Sequence, residues 1–275
     1  MLRSLSSLPK RQRKLIPRPL TRVGIENYCK RNKGLHTIED LPHSARLYWV
    51  GTRSSQGNIL LYLHGGGYNS PLVGPGHVSF AMECAVKASA SLAMLEYTLA
   101  PTKRYPTQLQ QAVAALKHIM TTTPPSKVSI AGDSAGGHFA AGLLSHLNHP
   151  SRNIQQVKLS KPLRGTCFTC PFLSFDYDKE SHRTNATRDY LGLEATKEFN
   201  ENFKLLGLSD RDAIQYPQLS PLDAPRGWWE DSPVMSILLG VGSWEVFLDD
   251  CVAFGQRLQE ATDSGTKVDV VQCLK

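Results

Sequence analysis

The chain has 275 residues, 41% hydrophobic and 20% charged, with a net charge of +7. This composition fits one large globular domain and excludes a chain that is disordered throughout. The longest apolar-rich stretch, Val78–Leu95, is interrupted by Glu83 and Lys87, so no transmembrane helix is predicted.

The charge is concentrated at the start. Residues 1–33 hold ten Lys or Arg against the single acid Glu26, a net +9, which leaves the remainder at −2. A nucleic-acid footprint over the whole body is therefore not supported. Residues 1–39 read as a basic arm with three open readings: a solvated lead-in, a mitochondrial-type presequence, or a contact with an anionic membrane surface. No apolar h-region follows the first basic residues, which disfavours a secretory signal. The expected location is cytoplasmic, with the mitochondrion as the alternative.

From residue 40 onward, short apolar runs alternate with amphipathic ones. Strands are predicted at Ala45–Val50, Asn58–Leu63, Ser91–Tyr97, Lys127–Ala131, Thr166–Cys170, Val234–Val241 and Lys267–Cys273. Helices are predicted at His77–Ala90, Gln108–Met120, Ala135–Leu147 and Val246–Glu260. Alternation of this kind implies an α/β fold with a mostly parallel central sheet flanked by helices. Residues 174–232 break the rhythm and read as a cap-like insertion, with a long surface loop as the alternative.

The six cysteines are spaced too irregularly for a disulfide scaffold. Cys167 and Cys170 form a lone C-x-x-C without further zinc ligands, and both are expected to be core thiols. No metal or organic cofactor is implied.

Two motifs carry chemistry. Gly132-Asp-Ser134-Ala-Gly136 lies between a predicted strand and a predicted helix. A nucleophilic serine needs such a sharp, strained turn, with small residues on either side. His64-Gly65-Gly66-Gly67-Tyr68 follows directly on Asn58–Leu63. Consecutive glycines can aim backbone N–H groups at a developing oxyanion, together with the N–H of Ala135.

With Tyr97-Thr-Leu-Ala-Pro101 and Gly242–Asp250, these motifs resemble the hormone-sensitive-lipase-like esterases of the α/β-hydrolase fold, most closely a fungal esterase and steryl-acetyl-hydrolase-like branch. The resemblance spans roughly residues 40–273. It implies Ser134 as nucleophile and an oxyanion loop of Gly65, Gly66 and Gly67 completed by Ala135, with Gly65 permitting the turn. It also implies a structural His64, an Asp133 that is either a surface or a loop-anchoring residue, and Glu245 as the triad acid, with Asp249 and Asp250 as fallbacks. Its substrates would be small hydrophobic esters, short-acyl or acetyl, and an amidase on the same fold stays open.

The family's histidine follows the acid and the last strand. None of the nine histidines here lies after Glu245. The expectation is a chain that stops where the histidine loop would begin, with one sheet face partly uncovered and poor solubility. His182 and His138 are the internal substitutes to consider. The competing reading is a non-catalytic fold that binds a ligand or partner. Oligomeric state is open.

Overall fold

The computed structural model describes residues 20–261 and 265–273. Eight strands form one sheet: β1 (His36–Leu41), β2 (Ala45–Val50), β3 (Asn58–Leu63), β4 (Ala90–Glu96), β5 (Val128–Asp133), β6 (Gly165–Thr169), β7 (Ser236–Gly242) and β8 (Lys267–Cys273). Their spatial order is β1-β2-β4-β3-β5-β6-β7-β8. The β1–β2 and β2–β4 pairs are antiparallel and all later pairs are parallel.

Central strands bury both faces, which explains their unbroken apolar runs. In β3, Ile59, Leu61 and Leu63 enter one core while Leu60 and Tyr62 enter the other. The larger core is completed by helices α3 (Thr107–Met120), α4 (Ala135–Asn148) and α8 (Leu248–Ala261). Every residue of α4 from Ala135 to His146 is buried, as its Ala-, Gly- and Leu-rich sequence demands. The smaller core is closed by α1 (Thr21–Arg31) and α2 (Ser79–Lys87).

The helix α1 and the strand β1 correct the expected boundary at residue 40. Ile25 and Cys29 of α1 are buried in the smaller core, and β1 pairs along its whole length with β2. The described part of the basic arm, residues 20–39, is thus folded onto the body. Residues 1–19, which carry much of its charge, lie outside the described residues.

The stretch 174–232 contributes three short helices, α5 (Glu180–Thr184), α6 (Leu193–Phe203) and α7 (Asp210–Ala213). It reaches the C-terminal ends of the parallel strands, where ligands bind in open α/β sheets. Opposite α8, the outer face of β7 and β8 is bare: Leu238 and Val271 are 42% and 47% exposed. No helix among the described residues is long and apolar enough to cross a membrane.

Candidate active site

The turn from β5 into α4 places Ser134 at the helix N-cap, with φ 52° and ψ −118°. That region is costly for a non-glycine residue, by roughly 1–3 kcal/mol, and persists only where the surroundings enforce it. They do so here. Ser134 N donates to Thr169 O at 2.8 Å, and its carbonyl accepts from His138 N at 3.0 Å. A side chain at Gly136 would strike the backbone of Leu63 and His64, and one at Gly132 would strike Gly136 O. The two glycines let β3, β5 and α4 close around the serine.

The glycine loop is tied to the same turn through Asp133. Its carboxylate accepts from Gly65 N at 3.0 Å and from the Tyr62 hydroxyl at 2.6 Å, and lies 3.4 Å from His77 Nε2. Burial pushes this carboxyl up, but His77, Tyr62 and Gly65 more than offset it, so its pKa is lowered. Gly65 therefore spends its N–H on Asp133, which removes it from the expected set of oxyanion donors. Gly66, at φ 105°, and Gly67, at φ 61°, turn the loop. Their N–H groups, like that of Ala135, donate to no acceptor among the described residues.

The loop is supported from beneath. His64 is buried, stacks on Tyr97 at 4.5 Å, and accepts the Tyr97 hydroxyl on its carbonyl at 2.8 Å. Burial drives its pKa down to about 4, so it is neutral. From above, Tyr68 stacks on Phe203 at 3.6 Å, and Asn69 Nδ2 donates to Phe199 O at 3.2 Å. Helix α6 thus rests on the glycine loop.

Ser134 and Glu245 line one cleft of about 140 Å³, with Asp133, Thr169, Cys170, Asp189, Tyr190, Leu191 and Phe247. The two fallback acids are engaged elsewhere. Asp249 accepts from Ser181 N at 2.7 Å, and buried Asp250 faces buried His182 at 3.3 Å. Glu245 is fixed by the stretch 174–232. Asn185 Nδ2 donates to Glu245 O at 2.9 Å, and Asp189 accepts from Val246 N at 2.8 Å. Burial raises the Glu245 pKa; a bond from Cys170 opposes the rise and the charge of Asp189 adds to it.

No histidine lines this cleft among the described residues. His138 is committed on both ring nitrogens, accepting from the Tyr68 hydroxyl at 2.5 Å and donating to Leu219 O at 2.8 Å. Burial holds its pKa at about 4. His182 is turned to Asp250. Burial lowers its pKa and the Asp250 carboxylate overcomes this, for a net rise. Neither internal substitute takes the place of the base.

Trp228 and Trp229 stand away from the cleft: Trp228 Nε1 donates to Ser145 Oγ at 2.9 Å, and buried Trp229 meets Phe254 at 5.2 Å. One further expectation changes. Cys170 is not a plain core thiol, since its Sγ lies 2.7 Å from Glu245 Oε1. Asp189 and Cys170 were not anticipated. No local pattern marks a side chain that meets its partner across 57 or 75 residues.

Residues 60–274 match the family model described as alpha/beta hydrolase fold. The chain belongs to the α/β-hydrolase fold family, in its hormone-sensitive-lipase-like esterase branch. It is 30% identical over 223 residues to an acetyl-hydrolase of Streptomyces hygroscopicus, covering 80% of this chain and 67% of that one. It is 32% identical over 136 residues to the carboxylesterase NlhH of Mycobacterium tuberculosis, covering 48% of this chain but 41% of that one. Its fold superposes with a TM-score of 0.73 on a hormone-sensitive lipase from a metagenome library, at 25% identity, over 99% of this chain and 87% of the other. These relatives make it a carboxylesterase-like hydrolase.

Proposed function

We propose that this α/β-hydrolase cleaves carboxylic esters through an acyl-enzyme on Ser134. The observation that carries the reading is a strained serine at a helix N-terminus, facing an acid across one cleft and flanked by uncommitted backbone N–H groups. Ser134 Oγ gives its proton to a general base as it bonds to the acyl carbon, and the carbonyl electron pair moves to oxygen. Gly66, Gly67 and Ala135 stabilise that oxyanion, worth about 10²–10³ in rate per donor. The alcohol departs with a proton, and water then releases the acid. Glu245 orients and stabilises the imidazolium of a general base.

In the family to which this chain belongs, that base is a histidine that follows the last strand of the sheet. Ser243, two residues before Glu245, donates N and Oγ to Cys273 O at 3.0 and 2.9 Å, so this end of the sheet adjoins the acid. The substrates are short-acyl or acetyl esters. A cleft of about 140 Å³ is well below the roughly 300–1,000 Å³ of sites that enclose larger ligands, and the acetyl-hydrolase relative agrees with that size.

The test is turnover of p-nitrophenyl acetate by the 275-residue chain and by Ser134→Ala, with and without added imidazole. Without a resident base, turnover should sit on the order of 10⁶-fold below an intact triad. Imidazole should raise it in the native chain and leave Ser134→Ala unchanged. Equal turnover by both proteins under both conditions would sink the reading. It would favour a ligand-binding role for the cleft.

A further inference from the structure

Cys170 stands just past β6 with its backbone in the left-handed region, φ 46°. Its N–H donates to Gly240 O at 2.7 Å, which ties the turn to β7. This placement carries Sγ into the cleft that Ser134 and Glu245 share, 2.7 Å from Glu245 Oε1. The acid and the thiol thus come from turns after adjacent parallel strands, and neither has another element between them. On the far side, Asn185 and Asp189 hold the backbone around Glu245. Its carboxylate is met by the Gly242 backbone N–H and by the Cys170 thiol, which is the side-chain donor in contact with it.

We propose that Cys170 is a positioning residue for Glu245. Its S–H donates to one carboxylate oxygen and fixes the rotamer, so that the other oxygen faces the base. This rests on the reading of Glu245 as the triad acid. The environment keeps the thiol in its donating form: burial raises its pKa first, and the carboxylate of Glu245 raises it further. The hydrogen bond in turn favours the ionised carboxylate against burial. The other titratable groups facing the pair are Asp133 beside Ser134, Asp189 and Tyr190 of the stretch 174–232, and Cys251 on α8. All are acids or weak acids, so none replaces the thiol as a cationic partner.

Two measurements on the full chain test this. The first needs no catalysis: the rate of Cys170 alkylation by iodoacetamide at pH 8, followed by peptide mass, in the native protein and in Glu245→Gln. Removing the carboxylate should speed alkylation by about tenfold, equivalent to one pKa unit. An unchanged rate would overturn the pairing. The second is the acidic limb of Ser134-dependent turnover, measured in added imidazole. Losing the donor raises the pKa of Glu245, so the limb should move to higher pH in Cys170→Ala and return in Cys170→Ser, whose hydroxyl can donate. Superposed profiles for the native protein and Cys170→Ala, or an equal shift in both variants, would overturn the proposal. If no Ser134-dependent turnover exists, the esterase reading falls, and the alkylation rates alone decide the pairing.

Discussion

The two halves of the candidate site are built differently. The nucleophile half, from β3 through β5 to α4, is closed by backbone approaching backbone. Gly132 and Gly136 leave no room for a methyl group, and buried His64, Tyr97 and His138 are neutral supports. The acid half, on β7 and β8, is held by side chains: Asn185, Asp189 and Cys170 reach in from other segments, while the outer face of the two strands is open. The candidate site is held by steric closure on one side and by a handful of hydrogen bonds on the other. The first half should tolerate almost no substitution, and the second should degrade in steps.

The largest expected effect is at Gly136→Ala. The added carbon would meet Leu63 and His64 backbone atoms, which cannot rotate away. Overpacking against backbone costs on the order of 3 kcal/mol or more. For a chain of this size that corresponds to a fall in melting temperature of roughly 6–12 °C. Thermal unfolding followed by circular dichroism reads it directly. A native-like melting temperature would show that β3 and α4 can separate, and that the nucleophile half is not sterically closed.

Asp133→Asn comes next, because it loosens the glycine loop without filling space. The amide loses the charge that holds Gly65, Tyr62 and His77. Hydrogen bonds to a charged group are worth about 1.5–3 kcal/mol. Misplaced oxyanion donors should lower Ser134-dependent turnover by roughly 10²-fold. The pH dependence has a defined sign. The folded-state pKa of Asp133 is depressed below its ordinary value of 3.8. Its contribution is therefore complete above that value and is lost as pH falls through the folded pKa. Urea midpoints of the two proteins should differ most near neutrality and converge in acid below pH 3.8. A constant difference down to low pH would show that the carboxylate charge does not hold the loop.

The same contrast explains what was legible in the sequence. Steric closure leaves a local signature, so Gly132-x-Ser134-x-Gly136 and the three glycines after β3 mark the nucleophile half directly. The strands β2, β3 and β8 begin and end where their apolar runs do. The acid half has no such signature. Glu245, Asp249 and Asp250 lie within six residues, and separating them requires knowing that Ser181 and His182 capture the other two. Cys170 read as a core thiol because its partner is 75 residues away. Helix α1 and strand β1 were hidden by charge: α1 presents only a few apolar groups among its basic ones, and β1 is largely exposed.

The smallest expected effect lies at Gly240→Ala, on the outer face of β7. An added methyl there meets nothing within 4 Å, and the backbone is not in the left-handed region. The Gly240 carbonyl would still accept from Cys170 N, so the turn that bears the thiol is preserved. Glycine in a strand interior costs roughly 0.5–1 kcal/mol relative to alanine through the freedom of the unfolded chain. Gly240→Ala should therefore be neutral or slightly stabilising, with a melting temperature unchanged or raised by no more than about 4 °C. The contrast with Gly136→Ala isolates the packing term, since both changes add the same methyl to the same chain. A loss of several kcal/mol at Gly240 would instead mean that the outer face of β7 and β8 is packed in solution. The difference between the two halves would then lie in what covers them rather than in how they are built.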